Sequence, residues 1–286
     1  MSTSPRKFLL APALAVLVLG GLAALAARAL PVHSAYETYD GRQMIVHVPG
    51  HMPAAGSRAL VVVLHGGLGN ADAIENGRAE RGMDLDTVAD RDGFIVAYLN
   101  GTPVTRLLGE RFKGWNAGGG CCGVPAQTGV DDVAYIKGAV DQLARRYGID
   151  HARVYAIGHS NGAMMAQRMA CETRVFSAVV AISGPLNLPV ASCPAAKGTR
   201  VLAIHGADDR NVPIAGGRGS LSFSRIDYVA EDRSRQVFTR SGATYTLDVL
   251  PGVDHFLDHI AMAIRRTDGM SLADKAAAFF GLGAAR

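Results

Sequence analysis

Five residues, Gly158-His159-Ser160-Asn161-Gly162, restrict this chain more than any other stretch. They follow the apolar run Arg153-Val154-Tyr155-Ala156-Ile157 and precede a helix-prone run over 163–170. A serine displayed on a sharp turn from strand to helix needs glycine two positions before it and two after. A side chain at either place would collide with the folded-back backbone. Both glycines are present. In a chain with 34 glycines such a pattern is not decisive alone, and an N-cap serine between turn glycines is the plain alternative. The decision falls to the partners downstream.

Residues 1–29 stand apart from the rest. Arg6 and Lys7 precede a charge-free apolar run over 8–27, which ends near Ala27-Arg28-Ala29. This is the layout of a secretory signal peptide with a small-residue cleavage site, an uncleaved membrane anchor being the alternative. Secretion or a periplasmic location is therefore expected, with residues 30–286 as one catalytic domain. Arg6, Lys7 and Arg28 supply three of the four net positive charges and the leader holds no acid, so the remainder carries +1. That balance gives no basis for a nucleic-acid surface.

The remaining segments alternate. A hairpin is expected to turn at Asp40-Gly41, at the antiparallel edge of a sheet. The continuous apolar runs 59–64 and 94–99 read as strands buried on both faces. Asp131 and Asp132 open a helix whose apolar positions Val133, Ile136, Val140, Leu143 and Tyr147 fall three or four apart, and Gly148 closes it. Further strands are expected over 177–182, 200–204 and 245–250, and a last helix over 272–280 with Ser271 as its cap. Strands alternating with helices give a mostly parallel sheet wrapped on both faces, the α/β class. The connection 183–199 is proline-bearing and too short for a helical cap, so no large lid domain is expected.

A serine hydroxyl is a poor nucleophile near neutral pH. It needs a neutral imidazole to take its proton and a carboxylate to fix the tautomer of that imidazole. On a strand-turn-helix serine these follow in the order Ser, Asp or Glu, His. After the strand at 200–204 comes His205-Gly206-Ala207-Asp208-Asp209, and after that at 245–250 comes Gly252-Val253-Asp254-His255. Asp209 is the expected carboxylate, with Asp208 as rival. His255 is the expected base, with His259 one turn later as the alternative. His205 and His159 read as hydrogen-bonded neighbours rather than catalysts. The oxyanion of the tetrahedral intermediate needs two N–H donors, assigned to Asn161 and to Gly67 in the loop His65-Gly66-Gly67-Leu68. No cofactor and no metal are called for. Adjacent Cys121 and Cys122 lack the two-residue gap of zinc ligands.

Taken together, His65-Gly66-Gly67, Tyr98-Leu99-Asn100-Gly101-Thr102, Gly114-Trp115-Asn116-Ala117-Gly118, Cys121-Cys122-Gly123, Asp131-Asp132-Val133, the Ser160 pentapeptide and His205-Gly206-Ala207-Asp208-Asp209 resemble the polyhydroxybutyrate depolymerase and feruloyl esterase family. The resemblance implies an α/β-hydrolase fold and a secreted esterase, with Ser160 as nucleophile, Asp209 as acid and His255 as base. Leu99 stands where the family usually has proline. Asp254 and Phe256 flank His255 where a preceding glycine and a nearby tryptophan are usual. The wall on the substrate side is thus expected to be this chain's own, with Trp115, His65 and Phe256 as its candidate contacts.

The expected activity is hydrolysis of soluble esters, 3-hydroxyalkanoate oligomers or feruloyl-type aryl esters, with little action on crystalline polymer because Trp115 is the only tryptophan. A peptidase using the same residues, or an inactive binding protein that keeps the fold, are the competing readings. Export and an even cysteine count predict two disulfides, tying Cys121 or Cys122 to Cys171 or Cys193. A bridge between the two neighbours is disfavoured because it closes a strained ring.

Overall fold

The computed structural model describes residues 34–76, 83–105 and 109–283; the leader assigned to 1–29 lies outside them. The hairpin forms as expected. β1 (Ser34–Tyr39) and β2 (Arg42–His47) pair antiparallel around Asp40 and Gly41, both at positive φ. This is the mirror-image turn that matches the twist of the two strands.

β3 (Arg58–Leu64) and β4 (Ile95–Leu99) are buried almost throughout. They join β7 (Ile149–His159), β8 (Ala178–Ile182), β9 (Arg200–Gly206) and β10 (Thr244–Leu250) in one eight-stranded sheet, ordered β1-β2-β4-β3-β7-β8-β9-β10. The strands from β4 to β10 run parallel, and β2 meets β4 antiparallel. A two-stranded ribbon of β5 (Thr102–Pro103) and β6 (Lys113–Gly114) lies apart.

Alternate residues of each central strand feed opposite cores. Leu60, Val62 and Leu64 pack toward α4 (Asp132–Tyr147), α5 (Asn161–Glu172) and α6 (Glu231–Arg240). Val61 and Val63 pack toward α1 (Ala71–Glu75), α2 (Leu85–Asp92), α7 (Leu257–Asp268) and α8 (Leu272–Phe280). Each such aliphatic side chain is worth about 1.5–3 kcal/mol of transfer free energy, so the two-sided core dominates stability. One further turn, α3 (Val124–Gln127), follows the Cys121-Cys122 loop.

The helix ends follow from their caps. Asp131 accepts the N–H of Ala134 at 3.0 Å ahead of α4, and Gly148 closes that helix in the left-handed conformation. Ser271 accepts the N–H of Asp274 at 3.0 Å ahead of α8. A side-chain cap of this kind contributes about 1 kcal/mol. α6 escapes hydrophobic periodicity because half of its buried face is polar: Glu231 and Ser234 lie inside with Val237 and Phe238.

The disulfides differ from expectation. Cys121 pairs with Cys122, and Cys171 with Cys193. The crossed pairing fails on distance. Asn161, at the first turn of α5, reaches Cys121 Sγ at 3.6 Å, whereas Cys171 lies ten residues along the same helix, about 15 Å away at 1.5 Å per residue. Cys193 stands next to it, with a Cα separation of 4.5 Å. The connection 183–199 holds only a short 3-10 turn, Pro194–Ala196. Among the described residues the longest irregular stretch is elsewhere, at 207–230 between β9 and α6.

Candidate active site

Strand β7 ends at His159 and α5 begins at Asn161, which leaves Ser160 alone on the turn at φ 54°, ψ −119°. A side chain held in that region costs about 1–3 kcal/mol and persists only where the surroundings enforce it. Here Ser160 N–H donates to Ile182 O at 2.8 Å. A Cβ at Gly158 would lie 2.3 Å from the carbonyl oxygen of Gly162, and one at Gly162 would lie 2.1 Å from that of Leu64. Both obstacles are backbone and cannot swing aside, so neither position admits a side chain.

The segments after β9 and β10 carry Asp209 and His255 to this turn. His255 Nε2 lies 2.9 Å from Ser160 Oγ, and Nδ1 lies 2.7 Å from Asp209 Oδ2. An ionised carboxylate only accepts, so Nδ1 bears the proton and Nε2 offers its lone pair to the serine hydroxyl. Burial outweighs the hydrogen bond to Asp209 and lowers the His255 pKa from 6.5, which favours the neutral ring. Burial alone would raise the Asp209 carboxyl. Hydrogen bonds from His205, His255 and the Val212 amide overcome it and hold the group far below the usual carboxylate range. Asp209 Oδ1 accepts the amides of Asn211 and Val212, each at 2.8 Å.

Neither rival residue occupies this place. Asp208 is exposed. His259, also exposed, pairs with Asp254 at 2.8 Å.

Asn161 and Gly67 come together across the turn. A Cβ built on Gly67 would sit 3.7 Å from Asn161 Cβ. Leu68 N–H is used by Lys113 O at 2.9 Å and Gly69 N–H by Gly66 O at 3.0 Å, whereas the Gly67 and Asn161 amides carry no such bond among the described residues. Two unspent donors beside a serine hydroxyl have the character an oxyanion requires.

Trp115 and His65 need a corrected role. Both are fully buried, so neither offers surface to a substrate. Trp115 Nε1 donates to His65 O at 2.9 Å. Its amide donates to Asn161 Oδ1 at 2.7 Å, and its carbonyl accepts from Asn161 Nδ2 at 3.1 Å. His65 is fixed in turn: Nδ1 donates to Gly66 O at 2.8 Å and Nε2 accepts Gly101 N–H at 3.1 Å. Buried Asp132 ties the loop to the sheet edge by accepting from Arg42 at 2.5 Å and from Asn116 N–H at 2.7 Å. The Trp-Asn-Ala-Gly loop therefore holds the first turn of α5 from below. Phe256 does stand at the surface, its ring edge-on to His255 at 6.4 Å.

Residues absent from the sequence reading complete the rim. Phe223 is 53% exposed and lies over the Gly66-Gly67 loop, its Cζ 2.8 Å from where a Gly67 Cβ would be. Leu68 and Phe223 open into a cleft of about 350 Å³ that Val104, Gly120 and Ile226 also line. Phe223 belongs to stretch 207–230, which has no repeating pattern to mark it. Its only signal is two large apolar residues, Leu221 and Phe223, inside a Gly- and Ser-rich run.

Among the described residues, no cluster of three or more His, Cys, Asp or Glu side chains is arranged to hold a metal ion. A mostly parallel eight-stranded sheet with helices on both faces, bearing a serine on the turn after its central strand, defines an α/β-hydrolase. Residues 45–207 fit the sequence profile of the esterase PHB depolymerase family, and the chain belongs to that family.

A putative esterase, NocK, from Nocardia uniformis subsp. tsuyamanensis is 33% identical over 174 residues, covering 59% of this chain and 45% of the relative. Feruloyl esterase B from Piromyces equi is 26% identical over 183 residues, covering 62% and 31%. The chain thus spans less than half the length of these two relatives. Among solved structures, an acetyl xylan esterase from Aspergillus awamori superposes with TM-score 0.56 at 17% identity, over 87% of this chain and 99% of that one. The poly(3-hydroxybutyrate) depolymerase LpqC from Bordetella parapertussis gives 0.54 at 18%, over 86% and 93%. At such identity the likeness shows the fold, and the matched profile shows the family.

Proposed function

We propose that the protein is an exported serine esterase that works through an acyl-enzyme on Ser160. His255 Nε2 takes the hydroxyl proton as Oγ attacks the ester carbonyl. The Gly67 and Asn161 amides receive the oxyanion, and the same imidazole returns the proton to the leaving alcohol. Water then repeats the sequence in reverse and frees the acid. Asp209 keeps His255 in the tautomer that accepts at Nε2. The observation that carries this reading is the continuous hydrogen-bonded line from Ser160 Oγ through His255 to Asp209, at 2.9 and 2.7 Å.

The substrates are soluble esters with an extended or aryl group, either 3-hydroxyalkanoate oligomers or feruloyl-type esters. Support comes from the open apolar rim of Leu68, Phe223 and Phe256 and from the names of the relatives, a feruloyl esterase and a poly(3-hydroxybutyrate) depolymerase among them. Export is supported by the leader layout of 1–29 and by the two disulfides.

A fluorophosphonate probe should label the wild type and spare Ser160→Ala. Comparison of kcat/KM on short-chain nitrophenyl esters, hydroxybutyrate oligomers and methyl ferulate identifies the substrate, with granule clearing as the control for crystalline polymer. Because the base must be neutral, kcat/KM should fall as pH drops through a value below 6.5. Labelling that persists in Ser160→Ala, or inactivity on every ester, would refute the proposal.

A further inference from the structure

A second imidazole lies behind Asp209, fully buried at the end of β9. His205 Nδ1 is 2.9 Å from Glu231 Oε1. Its Nε2 is 2.9 Å from Val212 O and 3.2 Å from Asp209 Oδ2. Glu231 Oε2 accepts the Tyr245 hydroxyl at 2.7 Å, and that hydroxyl also lies 3.4 Å from Gln167 Oε1. Every neighbour of the two ring nitrogens is thus a carbonyl or a carboxylate. A neutral ring would point a lone pair at one of them, in a fully buried site where such repulsion is weakly screened. With both carboxylates ionised, the ring must carry both protons.

We propose that His205 and Glu231 are positioning residues, a buried imidazolium clamped between two carboxylates that holds Asp209 against His255 and limits the negative charge His255 feels. The inference rests on the proposed role of Ser160, His255 and Asp209. The charge count gives its logic. Glu231, His205 and Asp209 together carry one net negative charge, which a protonated His255 neutralises during turnover. Without the imidazolium the same pocket would hold two unbalanced negative charges. It would then draw a proton onto His255 in the resting enzyme and remove the base. The direction of the His205 pKa agrees: burial pulls it down, but the hydrogen bonds and charges of Asp209 and Glu231 raise it to about 9.

The titratable groups around this pair come from several elements. Asp209 lies after β9, Glu231 on α6 and Tyr245 on β10. His255 meets Asp209 from the other side, with the His159 ring 5.1 Å from its own, and the Tyr228 phenol lies within electrostatic reach of Asp209. Asp209, Tyr245, His159 and Tyr228 remain in place in all the variants below.

The test has two arms on the full chain. Nitrogen NMR of the histidine rings should show His205 doubly protonated at pH 7 and His255 neutral, the signals assigned by their loss in His205→Asn and His255→Ala. In the kinetic arm, His205→Asn should move the acid limb of kcat/KM upward by at least about half a pH unit. It should also lower kcat roughly tenfold with little change in KM, short of the 10²–10⁴ that a general base supplies. Glu231→Gln should lower the titration of His205 by about one unit or more, without raising the acid limb. A purely structural role would change stability and leave the limb in place. A neutral His205 ring at pH 7, an unmoved limb in His205→Asn, or an upward shift in both variants would overturn the proposal. If no ester is turned over, the reading of Ser160 fails, and the NMR arm still decides the state of His205. If His205→Asn does not fold, the His205 signal is assigned by its shift in Glu231→Gln, and the NMR arm still decides.

Discussion

Two walls meet at Ser160, and they are built in opposite ways. Below the serine, Trp115, His65, Asn161 and Asp132 are sealed from solvent, and each is held by short hydrogen bonds to named backbone or side-chain partners. Across the cleft, stretch 207–230 has neither helix nor strand beyond an isolated bridge, and it turns Leu221 and Phe223 outward. The contrast separates two requirements. Attack on a carbonyl needs donors and nucleophile placed to within a fraction of an ångström, which a buried and fully bonded support provides. Recognition needs accessible apolar surface, which a loop can present. Substitutions below should therefore act on kcat or on folding, and substitutions above on KM.

The largest effect expected is at the junction itself. Ser160→Ala should lower kcat by at least about 10⁴-fold while the protein stays folded, and His255→Ala should do comparable damage, because the members of such a set act as a unit. His259→Ala, on the exposed face of α7, should leave kcat within about twofold, as surface changes away from the chemistry usually do. A larger loss in His259→Ala than in His255→Ala would reassign the base.

Below the serine, Gly162→Ala should cost at least about 3 kcal/mol in denaturant unfolding, at the upper end for overpacking, since the new Cβ meets the Leu64 and His65 carbonyl oxygens. A stable Gly162→Ala protein would show that the turn can open. One step milder is Trp115→Phe, which strips the N–H from a buried carbonyl and should cost about 1–3 kcal/mol, with little change in KM. A selective rise in KM would return Trp115 to the substrate wall.

The two walls were also unequally legible. The strands, α4, α8 and the elbow follow from continuous apolar runs, from aspartate and serine caps and from paired glycines, all local patterns that a chain displays in order. The meeting of Ser160, Asp209 and His255 followed from the fixed order in which an α/β-hydrolase delivers such residues, and Asp209 over Asp208 was decided only by which side chain turns inward. Trp115 was misread because a lone tryptophan in a glycine-rich loop looks the same in sequence whether its ring faces a ligand or a core. The disulfides were misread because pairing depends on distance along α5, which the cysteine count does not contain. His205 reads in sequence as a hydrogen-bonded neighbour, but its partner Glu231 left no trace, since α6 buries a glutamate and a serine where periodicity looks for apolar residues. Phe223 was missed for the reason that suits it to recognition: nothing periodic specifies an exposed loop.

The smallest effect expected tests the upper wall alone. Phe223 is half exposed, so Phe223→Ala should change stability by no more than about 0.5 kcal/mol. If a bulky ester covers about 50 Å² of the ring, the truncation removes about 1.2 kcal/mol of binding at 25 cal/mol per Å², roughly sevenfold in kcat/KM. Binding of this kind is shared by ground and transition states, so the loss should fall on KM and spare kcat. A nitrophenyl acetate, whose acyl group is too short to follow the rim, should lose less than about twofold. The informative quantity is the ratio of the two losses, because a change in the amount of folded enzyme would lower both substrates equally. Equal losses that persist when kcat is taken per folded enzyme, with kcat falling on the acetate too, would mean that Phe223 supports the Gly67 amide from above, and the division between the two walls would be wrong at the point where they touch.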